Sequence, residues 1–381
     1  MAWMRVALVN RLAGIHRGGG EVYDLCLAAA LRAAGVEVEI VTGRPFLSPP
    51  PAPVEEGPAR YARTPYLRGW AHRFGRAGWR LLDFDLRLFE RSALDQLRAM
   101  NPAPELVHVT GLPRLAHAIE TRLRLPALLL FPGPPALGHA ATIAACANVA
   151  GVGAVTPYLR RHFRGDVHDM TAGVDPVLFR PAASDLRARL GIPETAPVVL
   201  FAGRLVPLKN LPLLVEAFAH IRSALPDARL LVVGDGPMRR DLTARVARAG
   251  LRGSGADPVV ILAGEARHAE MPGYYAAADL LVLTSMNESF SLVALEAMAC
   301  GRAVLVPAVG YLPKLVEDGV TGALYPAGDR RALVGRAAEL LRDPALRASL
   351  GASARESALT RHSWPAVARS FIDLYHRILS A

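Results

Sequence analysis

Short apolar segments separated by helix-length stretches recur in two series along this 381-residue chain, and that alternation most limits what it can fold into. In the first series, residues 6–9 read as an apolar strand. A glycine-containing loop follows, then a helix at 21–34 that Gly35 closes from the C′ position. The next strand covers 36–41, and further strands are expected at 106–109, 127–131 and near 151–155. The proline-rich stretch 45–58 reads as a loop. The second series begins near Pro197, with strands at 198–202, 229–233, 259–262, 280–283 and 303–306 and helices at 211–225, 238–249 and 292–300. Strands joined by helices of this length require parallel pairing and right-handed crossovers. The two series meet at Gly173, Val174, Asp175 and Pro176 through Pro181. They predict an α/β protein of two doubly wound, Rossmann-like domains facing a central cleft, residues 1–175 and 182–360. From Trp364 to about Leu379 the pattern is that of an amphipathic helix.

Length alone favours two cores over one. A hydrophobic content of 52% with 20% charged residues marks a packed chain and argues against disorder. No apolar run reaches the roughly 18 residues of a membrane span, and the chain enters its first strand without the pattern of a cleavable signal. Cys26, Cys146 and Cys300 are odd in number and far apart, which points to a reducing cytoplasm and away from a disulfide or zinc framework. The net charge of +10 is concentrated between Arg60 and Arg98, where nine arginines face four acids and Trp70, Phe74, Trp79, Phe84 and Phe89 lie among them. Two readings stay open for this segment. One is a basic, aromatic surface that touches anionic lipid at the inner face of a membrane, or an anionic acceptor. The other is a solvated helix with its aromatics turned inward. Nucleic-acid binding would rest on charge alone, with no helix-turn-helix or aromatic platform behind it, and is set aside.

Three segments carry chemistry, and each falls where a strand ends. Gly18, Gly19 and Gly20 precede Glu21 on a strand-to-helix loop, where glycine lets backbone amides approach a phosphate or sugar; a plain tight turn is the alternative. Gly203, Arg204 and Lys209 follow a buried strand. The two cations can converge on a diphosphate, Arg204 as a planar fork and Lys209 as a point charge, or remain ordinary surface charges. Glu288 and Glu296 stand eight positions apart around a helix start, a separation of roughly 12 Å along a helix. The helix start between them offers free amides and a positive dipole end. Glu296 lies within an apolar face and needs partners there, for which a ribose diol is suited. Alternatively Glu288 caps the helix and Glu296 pairs with a nearby cation. An anionic middle between hydroxyl-bearing ends describes a nucleotide-sugar.

In order and spacing, these markers make the chain resemble the retaining, GT-B-fold glycosyltransferases of family 4, the group 1 glycosyltransferases. The resemblance spans almost the whole length. It rests on Gly18 to Glu21, His108, Gly173-Val174-Asp175 with Phe179 and Pro181, Gly203-Arg204 with Lys209, Val233 to Pro237, the Glu288/Glu296 pair, and Gly319 and Gly322 before Asp329. It implies a sugar moved from a nucleoside diphosphate donor to an acceptor hydroxyl on a small metabolite, lipid or glycan, with no obligatory metal or other cofactor. Arg204 and Lys209 would hold the donor diphosphate with Gly203, and Glu296 the ribose. Glu288 would contact the donor sugar, and the backbone at Ser289, Phe290, Ser291, Leu292 and Val293 the phosphates. Gly18, Gly19 and Gly20 would lie across the cleft, and His108 is the acceptor-side candidate. Residues 361–381 would cross back to the N-terminal domain. The chain departs from the family pattern at Pro132 in place of a His, at Thr110, at Ser289 and Ser291, and at Gly310-Tyr311 with Lys314. A nucleotide-sugar hydrolase or epimerase of the same fold, and a weakly active binding subunit, are the rival readings.

Overall fold

The computed structural model describes residues 4–13, 19–46, 57–67, 75–133, 140–153, 155–162, 167–254 and 257–381. The chain forms two compact units, Met1–Gly173 together with Trp364–Ala381, and Val174–Ser363.

The first unit is built on a seven-stranded sheet. Its strands are β1 (Arg5–Val9), β2 (Glu37–Pro45), β3 (Ala59–Thr64), β4 (Leu106–Thr110), β5 (Ala127–Phe131), β6 (Asn148–Val152) and β7 (Val167–Met170). They run in the order β3-β2-β1-β4-β5-β6-β7 and every pairing is parallel. The direction of strand addition reverses between β1 and β4, where Leu8 pairs with Ile40 on one side and His108 on the other. Continuous apolar runs such as Ala127–Phe131 are buried along their whole length, as strands covered on both faces require.

Two expectations are corrected here. The strand near 151–155 is Asn148–Val152, and Val155 instead opens a helix to His162. Gly153 takes φ 61° and turns the chain between them. The stretch 45–58 is not all loop at its start, because β2 runs through Pro45; residues 47–56 lie outside the described residues. Strand β3 pairs with the second half of β2, Ile40 with Ala59 through Pro45 with Thr64.

Most of the basic segment is the helix Gly75–Arg98. Phe89, Leu94 and Leu97 face the core, while Phe84 is 54% exposed. Trp70, Phe74 and the side chain of Trp79 lie outside the described residues. Several arginines already have partners: Arg60 with Glu39 at 2.6 Å, Arg87 with Asp83 at 2.8 Å and Arg98 with Asp95 at 3.2 Å. Asp85 is fully buried and gathers four donors. These are the guanidinium of Arg11, the Thr64 hydroxyl at 2.5 Å and the backbone amides of Tyr66 and Leu67 at 3.1 and 3.0 Å. No helix among the described residues is long and apolar enough to cross a membrane.

The helix Trp364–Ser380 supplies the first unit with a buried apolar stripe through Val367, Phe371, Leu374 and Tyr375. Trp364 meets Tyr23 edge-on with ring centres 5.4 Å apart, and Tyr23 donates to the Thr171 carbonyl at 2.9 Å. His108 is fully buried beneath this helix. Its ring stacks on Phe371 at 5.4 Å and its Nδ1 lies 2.6 Å from the Tyr375 hydroxyl. The acceptor-side expectation for His108 is thereby corrected, because a fully buried ring offers no face to an incoming substrate. Burial also pushes its pKa down to about 3, so it is neutral at ordinary pH. Tyr375→Phe leaves Nδ1 without that partner and is expected to lower unfolding stability by about 1 kcal/mol. Urea denaturation followed by circular dichroism measures it, and an unchanged midpoint would show that the contact contributes nothing.

The second unit holds a six-stranded parallel sheet of β8 (Val198–Ala202), β9 (Arg229–Val233), β12 (Val260–Gly264), β13 (Leu280–Val282), β14 (Ala303–Pro307) and β15 (Ala323–Tyr325). A minimal hairpin, β10 (Gly253–Ser254) with β11 (Asp257–Pro258), precedes β12. The order is β12-β9-β8-β13-β14-β15, so strand addition reverses between β8 and β13. In such sheets the loops leaving the carboxyl ends of the two strands at the reversal form the ligand crevice. The core contains Phe201, Phe218 and Tyr325, and the Tyr325 hydroxyl donates to the Leu283 carbonyl at 2.7 Å. Asp329 and Asp343 start the next two helices by accepting the amides of Ala332 and Leu346, each at 2.9 Å.

Candidate active site

The loops after β8 and β13 are joined by polar contacts across the strand reversal. Lys209 closes the single turn Pro207–Lys209, and its Nζ forms an ion pair with Oε1 of Glu288. The same carboxylate oxygen accepts the Ser285 hydroxyl at 2.7 Å. Thr284 donates its hydroxyl to the Lys209 carbonyl at 2.7 Å, and the Met286 amide reaches the Leu208 carbonyl at 2.9 Å. Arg204 is exposed on the same loop, and among the described residues no carboxylate pairs with it.

Glycines allow neighbouring loops to press close. Gly203 follows β8 at φ 141°, and a Cβ on Gly234 would lie 2.0 Å from the Gly203 carbonyl oxygen. Leu205 and Asp235 then bond through their backbones at 2.9 Å. The loop after β14 does the same for Glu288. Gly310 has φ 56° and approaches the Glu288 carbonyl so closely that a Cβ would sit 1.8 Å away, while the Tyr311 amide donates to that carbonyl at 3.1 Å. Tyr311 stacks on Phe290 with ring centres 4.9 Å apart, and His362 meets Phe290 edge-on at 5.6 Å. Two departures from the family pattern, Gly310 and Tyr311, therefore hold the acidic loop in place. Ser291 adopts φ 79° immediately before the helix Leu292–Ala299, and no side chain caps that helix. Its first amides are left for an anionic group.

Glu296 sits on this helix at 7% exposure, with both oxygens engaged. Oε2 accepts the buried Tyr275 hydroxyl at 2.7 Å, and Oε1 lies 3.1 Å from Nε2 of His268. His268 is placed by Phe179, whose ring meets it edge-on at 5.0 Å. The bond to Glu296 raises the His268 pKa above its usual value, against the opposing effect of burial. Burial and then the Glu296 charge push the Tyr275 hydroxyl well up and the Cys300 thiol to about 12, so neither is an anion at neutral pH.

The expected residues Gly203, Arg204, Lys209, Glu288, Ser289, Phe290, Ser291, Leu292, Val293 and Glu296 all belong to the second unit, on the loops at the strand reversal and the helix that follows. Gly19 and Gly20 open the helix Gly19–Ala33 of the first unit, and Gly18 lies outside the described residues. Pro132 directly follows β5, as its position implied. Sequence reading missed His268, Tyr275 and Ser285. A polar residue at a strand end signals Ser285, but nothing in spacing singles out His268 and Tyr275, which reach Glu296 only through the fold. Among the described residues no three His, Cys, Asp or Glu side chains converge as a metal-ligand set.

The profile of the family described as "Glycosyl transferases group 1" matches residues 183–357, which contain every donor-side residue above except the glycine cluster. A D-inositol 3-phosphate glycosyltransferase of Xylanimonas cellulosilytica is 32% identical over 397 residues, covering 94% of this chain and 91% of its own. The enzyme of that name from an Arthrobacter species is 31% identical over 402 residues, covering 95% and 93%. Sucrose-phosphate synthase from Thermosynechococcus elongatus has a similar structure, with a TM-score of 0.77, 26% identity and 99% of both chains covered. Anabaena HepE, solved with UDP and glucose, shares the fold with a TM-score of 0.74 at 20% identity, over 98% of this chain and 99% of its own. The chain belongs to the group 1 glycosyltransferases, enzymes that here stand on a GT-B fold of two Rossmann-like units.

Proposed function

We propose that the protein is a retaining glycosyltransferase of family 4 that moves a sugar from a nucleoside diphosphate donor to an acceptor hydroxyl without an obligatory metal. The observation that carries this reading is the pairing of Lys209 with Glu288 across the strand reversal, on the loop that also holds Arg204, with which no carboxylate pairs among the described residues. Arg204 and Lys209 receive the diphosphate, with added contacts from the uncapped amides of the Leu292–Ala299 helix. Charge that develops on the leaving group as the glycosidic bond breaks is met by these fixed donors, which is where such sites gain most of their rate. Lys209 then exchanges Glu288 for phosphate and frees that carboxylate for the donor sugar's hydroxyls. The departing phosphate oxygen takes the proton of the incoming acceptor hydroxyl on the same face, so the anomeric configuration is kept. Glu296 binds the ribose diol. Two relatives that align over nearly the whole chain are named for D-inositol 3-phosphate, which makes a phosphorylated cyclitol the first acceptor to try. The donor and such an acceptor are cytoplasmic metabolites, in keeping with the three isolated cysteines.

Thermal unfolding with UDP-, GDP-, ADP- and dTDP-sugars, followed by product analysis with the matching donor, tests the reading. One donor class is expected to raise the melting temperature, since a ligand at 100 times its Kd adds about 2.7 kcal/mol. The product is expected to keep the donor's anomeric configuration, with turnover unchanged in EDTA. An inverted product, or sugar released only to water, overturns the assignment.

A further inference from the structure

We propose that His268 is a positioning residue for the ribose carboxylate, and that its proton sets how strongly Glu296 accepts a ribose diol. This rests on the donor reading above and deepens it. A carboxylate in an apolar helix face has few ways to be held. Tyr275, fully buried, fixes one oxygen from within. His268 fixes the other from the accessible side, with 42% of its side chain exposed. Its ring is steadied by Phe179, so the imidazole is a defined neighbour of any ligand that reaches Glu296.

The groups around the imidazole give the effect its sign. On its own turn, Arg267 and Glu270 neutralise each other at 2.7 Å. From the helix Leu292–Ala299 comes Glu296, and from the helix Met271–Ala277 the neutral Tyr275 hydroxyl. From the segment before Phe179 comes Asp175, whose charge also favours the imidazolium, though less than the Glu296 bond does. Phe179 adds an uncharged ring. The His268 pKa is thus raised in the ligand-free protein. Below it, an imidazolium draws on the Glu296 lone pairs, and a ribose hydroxyl must donate to a carboxylate already bound to a cation. Above it, the imidazole still places the carboxylate but no longer competes by charge. Binding of a ribose diol therefore expels the proton, and by linkage protonation weakens that binding.

The experiment measures binding of UDP, GDP and ADP to the full chain by calorimetry at pH 8.0 and 5.5, then continues with whichever diphosphate binds and its 2′-deoxy counterpart. The terminal phosphate titrates near pH 6 in every variant, so the comparison with His268→Gln isolates the imidazole. The unaltered protein is expected to lose several-fold more affinity between pH 8.0 and 5.5 than His268→Gln does, because only its imidazole gives up a proton when the diol binds. The preference for ribose over 2′-deoxyribose is expected to shrink at pH 5.5 only in the unaltered protein. His268→Ala is expected to weaken binding at pH 8.0, with Gln restoring most of it. Identical pH profiles in the unaltered and Gln proteins overturn the inference. Glu296→Gln separates the two levels. If it weakens binding while the His268 variants share one profile, only the role of His268 fails. If it changes nothing, the ribose site fails and the inference with it.

Discussion

Lys209→Ala is expected to lower kcat/KM by roughly two to three orders of magnitude, the size seen when one fixed donor is removed from a site of developing charge. Part of that loss should appear as weaker donor binding and part as slower turnover, because in the proposed reaction the ammonium meets the diphosphate both before and during bond cleavage. The fold should survive. The Lys209 and Glu288 side chains are 20% and 10% exposed, and Ser285 continues to donate to the Glu288 carboxylate when the ammonium is gone. Lys209→Arg keeps the charge but replaces a point donor with a wide planar fork, and should recover binding better than turnover. Steady-state kinetics with varied donor give the division. If the alanine variant works at full rate, Lys209 is a surface cation and the site must be sought elsewhere.

The largest effect on stability is expected from Asp85→Ala. Asp85 and Arg11 are 0% and 6% exposed, so the variant leaves a buried guanidinium without its carboxylate and strands the Thr64 hydroxyl and two backbone amides. Breaking such a pair from one side costs about 3–5 kcal/mol. For a unit of this size that corresponds to roughly 10 °C in melting temperature. Because the contact lies wholly in the first unit, scanning calorimetry should show the loss there, with nucleotide binding by the second unit retained. A melting profile unchanged by the substitution would mean that the network adds no stability. The same network explains why the arginine-rich segment misleads when read as charge. Of the acids in it, Asp85 is the buried anchor of the end of β1, and Asp83 partners Arg87 at the surface.

Legibility from sequence followed burial. Strands β5, β8 and β9 were bounded correctly because β5 and β8 are unbroken apolar runs, and β9 is one after its opening Arg229, each closed by a glycine or proline. Strand β3 escaped because Ala59–Thr64 lies at a sheet edge and carries two arginines, so its alternation looks like surface. The end of β6 matters too: Gly151 and Gly153 sit in and after that strand, and glycine-rich text does not say which side of a turn it belongs to. In the site, Gly203, Lys209, Glu288 and Glu296 could be singled out because each is a polar or flexible residue where an apolar pattern breaks. His268 and Tyr275 could not, since what makes them matter is a carboxylate some twenty to thirty residues further along the chain, brought over them by the sheet. His108 was visible but misread. A His in an apolar strand marks burial as readily as function, and its partner Tyr375 is 267 positions away.

The first unit is closed by residues from the far end of the chain, and this bears on how the protein is made. A ribosome finishes all of Val174–Ser363 before it releases Trp364–Ser380. The second unit is therefore the first to hold every residue of its own core, and it can fold during synthesis. Until that helix is made, the unit begun earliest lacks Phe371 and Tyr375 above His108. It waits as an open sheet face, and that interval is when the nascent protein is most exposed to proteases and to association with other chains.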